Sequence, residues 1–166
     1  MKSVEEILNK PEIKELLKNN DLDQVYNTTW QCIQAKKLTE VFLECGVDPL
    51  DYFRTEIPGG FAEGINNSFY EDLIIPDRIK IIGIAAFLRS HLDSVVMPAE
   101  LVQIEGSAFR DNNITKVDFS KCTKLQRIDG NTFKDNPSLK EVVLPDNNLT
   151  IEYNAFDKNT VVIAPR

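Results

Sequence analysis

The chain holds one histidine, His91, and three cysteines, Cys32, Cys45 and Cys122. A cysteine beside a histidine could act as nucleophile and base, because the imidazole takes the thiol proton and leaves a thiolate. His91 stands just ahead of Leu92, where a loop passes into an apolar run, and no cysteine is near it in sequence. The expected role is therefore a solvated or hydrogen-bonded loop histidine. Cys32 and Cys45 fall on helical patterns, where buried small apolar side chains are common, and Cys122 falls in an insertion. With no CxxC pair there is no expected disulfide framework, and reduced thiols are the expectation. No metal or cofactor is expected.

Other chemistry is equally thin. "PGGF" (58–61) and "GFAEG" (60–64) are glycine-rich, but neither follows the strand-to-helix order of a phosphate-binding loop. Glu71 and Asp72 are adjacent, so on a strand they would project to different sides rather than pair for acid–base work. Nothing in the sequence assembles an active site, and the expectation is a protein that is not an enzyme.

The 166 residues suit one domain, or one domain with a small accessory piece. An apolar fraction of 42% and a charged fraction of 27% are those of an ordinary soluble globular chain. The formal charge is −7. Residues 1–56 carry 7 basic and 11 acidic side chains and the remainder 12 and 15, so neither part shows the basic footprint of nucleic-acid binding. Acidic residues interrupt "MKSVEEILNKPEIKELL" where a signal peptide needs an apolar core, and no run reaches the length of a spanning helix. A cytoplasmic protein that binds neither membrane nor nucleic acid is the expectation.

The first third reads as helical. Ser3 and Glu6 have capping-box spacing, and Pro11 suits a first helical position. Val4, Ile7 and Leu8, then Ile13, Leu16 and Leu17, predict helices over 3–9 and 11–19. Leu22, Val25, Tyr26 and Trp30 predict a third. Leu38, Val41, Phe42 and Cys45 predict a fourth, closed by Gly46, and Asp48 before Pro49 caps one last turn. An all-α cap over 1–56 follows.

Residues 57–166 are a repeat. Phe87, Phe109, Phe133 and Phe156 each follow an isoleucine by five positions: Ile82, Ile104, Ile128 and Ile151. Between them come "VVM" (95–97), "VDF" (117–119) and "VVL" (142–144), with "LII" (73–75) ahead and "VVI" (161–163) behind. Pro76, Pro98 and Pro145 close three of these runs, while Ser120 stands at the fourth, and "IPGGF" (57–61) reads as a degenerate first copy. A strand of three residues cannot bury its own apolar face. Stacked copies can, sharing parallel hydrogen bonds and a common core. The expected fold is α+β: a helical cap, which should seal the N-terminal end, then a short solenoid with a parallel sheet of about five short strands. Each buried Phe of its spine would contribute about 2–3 kcal/mol. Gly106, Gly130, Asn112, Asn113 and Asn136 are expected where the chain turns corners.

The order L-x-x-V-x-[ILMF]-P-x-x-x-x-x-I-x-x-x-A-F resembles the BspA-like leucine-rich repeats of bacterial proteins, over about residues 57–166. "FSKCTKLQRI" departs from it by Ser120 in place of Pro and by two inserted residues, which should widen that turn while its strand survives. The helical opening with "LTEVFLECGVDPLDYF" and "EIPGGF" is similar to small phage or prophage proteins of this kind, a resemblance that implies a host or phage protein as partner.

In such a solenoid, function is expected on the sheet face. In-out-in alternation puts Ile74, Val96, Asp118, Val143 and Val162 outward, flanked by Asp72, Ser94, Lys116 and Glu141. Four of the five in that column are apolar. Two readings stay open: β-branched residues simply suit parallel ladders, or the column is a protein-binding patch. Five strands about 4.8 Å apart give a stripe about 20 Å long, less than the roughly 800 Å² per partner of a standard interface. A partner would need the loops, the cap or a second copy of the chain. Asp118, the one charge in the column, reads as a specificity element or a charge that deters wrong pairing. The last run leaves an open edge suited to pairing with a second copy. An adhesin-type role at a cell surface and an enzyme with its site in the helical segment remain as alternatives to the interaction module.

Overall fold

The computed structural model describes residues 4–16, 32–51, 53–65, 70 and 72–165. Ser3, residues 17–19 and the predicted helix through Leu22, Val25, Tyr26 and Trp30 lie outside them. Helix α1 spans Val4–Leu8, α2 Pro11–Leu16 and α3 Cys32–Glu44. The Lys10 carbonyl accepts the amides of Ile13 (3.0 Å) and Lys14 (2.9 Å), so Pro11 takes the first helical position, where a missing N–H costs nothing. Gly46 ends α3 at φ +76°. Its amide donates to Leu43 O (2.9 Å) and that of Val47 to Phe42 O (3.0 Å), the paired closing bonds of a Schellman motif. Asp48 Oδ1 then accepts the Leu50 amide at 2.9 Å and starts the single 3-10 turn Pro49–Asp51.

Beyond residue 55 the chain is a solenoid of about four turns with two lines of parallel strands. The three-residue strands are β2 (Asp72–Ile74), β4 (Ser94–Val96), β6 (Lys116–Asp118), β8 (Glu141–Val143) and β10 (Val161–Ile163), the first four each one residue ahead of the predicted run. They do not form one sheet: β2 pairs with β4, while β6, β8 and β10 form a separate ladder. A second sheet, which the sequence pattern did not predict, joins β1 (Glu56–Ile57), β3 (Ile81–Ile82), β5 (Gln103–Ile104), β7 (Arg127–Ile128) and β9 (Thr150–Ile151). The repeated isoleucines are its inward residues. Ile57 pairs with Ile82, so the degenerate copy "IPGGF" supplies the first strand of this sheet.

Between the two strand lines lies one core. Phe87, Phe109, Phe133 and Phe156 stack with ring centroids 5.4, 5.1 and 5.5 Å apart. Phe61 meets Phe87 edge-on at 5.7 Å, and Phe53, just after the helical segment, meets Phe61 edge-on at 5.3 Å. The helical residues Ile7, Ile13, Phe42 and Leu43 belong to the same contiguous core. Arg78 ties the two parts through the carbonyls of Leu50 (2.9 Å), Asp51 (3.1 Å) and Phe53 (2.8 Å).

The corners differ in detail from the expectation. Gly106 and Gly130 sit in turns, but the left-handed residues are the next ones, Ser107 (φ 59°) and Asn131 (φ 59°), and Ala85 and Asn154 match them in the turns on either side. Asn113 is exposed, whereas Asn112 and Asn136 are buried and bond from turn to turn. Asn112 Nδ2 donates to Phe87 O (2.8 Å) and Phe109 O (3.0 Å), and its Oδ1 accepts the amides of Ser90 (3.1 Å) and Leu92 (3.0 Å). Asn136 repeats the arrangement one turn later.

Candidate functional site

Parallel pairing aligns the outward residues of the three-residue strands into two columns. In one, Asp72 faces Ser94 and Lys116 faces Glu141. These pairs are closed: Ser94 Oγ donates to Asp72 Oδ1 at 2.6 Å, and Lys116 Nζ lies 2.8 Å from Glu141 Oε1. The Glu141 carboxylate raises the Lys116 pKa above its ordinary value, chiefly through that hydrogen bond. In the other column Ile74 faces Val96 and Asp118 faces Val143. Ile74 is 71% exposed and Val96 56%, while Val143 is half-buried. The residues before and after them, Leu73, Ile75, Val95 and Met97, are buried, so the in-out-in reading holds here.

It fails in the last strand. Val162 pairs with the inward residue Val142, and Ile163 pairs with Val143. The outward members of β10 are therefore Val161 and Ile163, not Val162. A signal for this was present. Pro76, Pro98 and Pro145 directly follow the third residue of their runs, and Pro165 follows Ala164, which shifts the last run by one. Matching "VVI" to "VVL" by composition hid the offset. All three β10 residues are exposed, Val161 at 61% and Ile163 at 40%.

Asp118 has a local explanation. Its Oδ1 accepts the Ser120 amide at 2.8 Å. The Ser120 hydroxyl first, and then that amide, hold its pKa below the ordinary carboxylate value, with Lys116 and Lys121 adding attraction. Ser120 stands where the other copies have proline, which has no N–H to satisfy. Where the proline is present, the residue two earlier is Ile74, Val96 or Val143; where it is missing, an acceptor stands there instead. The inserted residues then turn inward, with Cys122 and Leu125 buried. Asp118→Val should cost about 1 kcal/mol in urea unfolding, because the Ser120 amide loses its acceptor. Adding Ser120→Pro should recover most of that loss, and strictly additive effects in the double-mutant cycle would disprove the pairing. Since the folded carboxyl sits below its unfolded value, the contact stabilises at neutral pH and is lost as pH falls through the folded value. The cost of Asp118→Val should shrink over that range.

The break in the ladder falls at the same place. β4 and β6 are neighbours without pairing. Two shallow hollows open beside that seam. One, of about 170 Å³, is lined by Val96, Met97, Asp118, Ser120 and Lys121 among others, and the second, of about 310 Å³, by Ile74, Pro76, Asp77, Val96, Met97 and Lys121 among others. Sequence reasoning missed Met97 and Lys121 because one is an inward strand residue and the other belongs to the insertion.

No catalytic pair forms from the described side chains. His91 is exposed in a loop at φ 56°. Burial pushes the Cys122 thiol up to about 11, which keeps it protonated and unreactive at neutral pH. Cys45 accepts a hydrogen bond from Lys10 Nζ at 3.2 Å. Among the described residues no group of three or more His, Cys, Asp or Glu side chains is placed to hold a metal ion, and no helix is long and apolar enough to cross a membrane.

The family model of the BspA type leucine rich repeat region matches residues 64–163 in 6 copies. No curated protein and no solved structure is matched by the chain.

Proposed function

Because the chain belongs to the BspA type leucine-rich repeat family, we propose that it is a non-enzymatic interaction module that binds another protein through the face of the three-residue strands. The observation that carries this reading is the pair Ile74 and Val96, exposed side by side on β2 and β4. Most of the other outward side chains there are already engaged: Asp72 with Ser94, Lys116 with Glu141, Asp118 with Ser120. A local explanation for Asp118 leaves the rest of its column apolar: Ile74, Val96, Val143 and Ile163. Isolated exposed aliphatics are common, but a contiguous apolar patch is a mark of interaction sites. The resemblance of the helical opening to phage proteins points to a host or phage protein as the partner class.

Ile74→Lys with Val96→Lys tests the reading, since both side chains already reach solvent. The double variant should keep its unfolding free energy within about 0.5 kcal/mol of the parent. Its capture of the native partner should fall at least tenfold. Undiminished capture by a folded double variant would end the sheet-face proposal.

A further inference from the structure

The solenoid core is sealed in its first turn and open in its last. The inward residues of the first turn, Ile57, Phe61 and Leu73, are buried, and so are Ile128, Phe133 and Val142 in the turn before the last. Their counterparts in the last turn are not. Ile151 and Phe156 are half-buried, and Val162, aligned with Val142, is 42% exposed. Each turn of a solenoid buries its apolar side against the next, so a last turn needs a polar outer side or a cover. Here Val161 and Ile163 add further exposed aliphatics beside Val162.

The backbone is open at the same end. Among the described residues β9 and β10 each pair on one side only. Val161 donates its amide to Lys140 O (3.0 Å), and Ile163 O accepts the Leu144 amide (2.9 Å). The N–H and C=O of Val162, between them, therefore point away from the ladder. Thr150 and Glu152 donate back to Gln126 O and Ile128 O, both at 2.9 Å, which leaves those of Ile151 pointing the same way. No proline or charge within "VVI" blunts the edge.

Such an edge matches itself. In an antiparallel pair, residues opposite one another exchange both backbone bonds. A two-fold axis past Val162 thus pairs Val162 with its own copy and brings Ile151 and Phe156 against theirs. Size and charge agree with this. Residues 144–165 form the end turn, about 22 residues, within the roughly 20–30 a side of a standard interface. They hold four charged side chains. Glu152 is paired with Arg127, Asp157 accepts the amides of Asp135 and Asn136, and Asp146 and Lys158 are opposite in sign. Little of the chain's charge of −7 therefore opposes the approach. We infer that two copies of this chain join end to end through the last turn, β10 antiparallel to the β10 of its copy. β6 and β8 lie between this junction and the Ile74–Val96 patch, so it does not depend on the sheet-face reading.

Sedimentation equilibrium of the full chain, up to about 100 µM, tests it. The parent should be a dimer. Val162→Lys, at a site that already reaches solvent, should stay folded by circular dichroism and dimerise at least tenfold more weakly. Ile74→Lys/Val96→Lys should dimerise as the parent does. Facing residues of such a pair have Cα atoms about 5.5 Å apart, within the span of a disulfide. Mild oxidation of Val162→Cys should therefore give a cross-linked dimer absent from the oxidised parent, and this result decides the matter if Val162→Lys does not fold. A parent that stays monomeric overturns the inference, as does a dimer in which Val162→Cys forms no cross-link. A dimer that resists folded Val162→Lys but dissolves in Ile74→Lys/Val96→Lys also overturns it and places the second copy on the sheet face.

Discussion

Replacing Phe109 by alanine should cost about 3–5 kcal/mol, the range for large-to-small changes at a site that cannot collapse. The ring is fully buried and stacked on both sides, 5.4 Å from Phe87 and 5.1 Å from Phe133. Its neighbours cannot close the void because their turns are held in register by strand pairing and by the asparagine bonds. Against a total stability of typically 5–15 kcal/mol, the loss would bring the variant close to its unfolding transition at 37 °C. Urea unfolding followed by circular dichroism measures it. Phe156 is the comparison: it is stacked on one side and half-buried, so Phe156→Ala should cost clearly less. Equal costs at the two positions would show that the rings contribute individually and not as a column.

The second large effect is expected at Asn136. Its Nδ2 donates to Phe109 O (2.9 Å) and Phe133 O (3.0 Å), and its Oδ1 accepts the Ile114 amide (3.2 Å). Alanine there leaves the Ile114 amide and the Phe133 carbonyl without this partner, each at about 1–3 kcal/mol, while Phe109 O keeps its bond from Asn112 Nδ2 at 3.0 Å. Some relief from entering water brings the expected total to about 3 kcal/mol. Amide hydrogen exchange localises it: Ile114 should lose protection well before the core amide of Val117. Asn136→Asp keeps the acceptor and removes the donor, so it should restore Ile114 protection without restoring full stability. Unchanged protection of Ile114 in Asn136→Ala would refute the cross-turn role.

Several features were legible because they depend on residues close in sequence. The stops at Gly46 and Asp48 follow from local backbone chemistry, and the Phe spacing follows from a period that repeats. The second sheet was not legible, since a two-residue strand such as Gln103–Ile104 has no alternation to read. Asn112 and Asn136 were read as corner residues by type. Their buried, cross-turn role depends on carbonyls 25 and 27 residues away, Phe87 O and Phe109 O. Asp118 was legible as an anomaly, and Ser120 two positions on was its cause. The face itself was legible in β2 and β4, where alternation is clean, and misplaced by one residue in β10, where three β-branched residues in a row give the pattern no phase. The hollows depend on how β4 and β6 fail to pair, which no single strand reveals.

The asparagine bonds have a consequence for how such a chain changes over generations. They reach about one turn back, as do the strand pairs and the stacked rings. A turn therefore meets its neighbours through the same set of donors and acceptors that they offer each other. Copying or deleting 22 to 24 residues between equivalent phenylalanines would leave every junction chemically matched. Length is then the cheapest heritable variable of this architecture, while the two-residue departure at Ser120 is the kind of change that must bring its own acceptor with it.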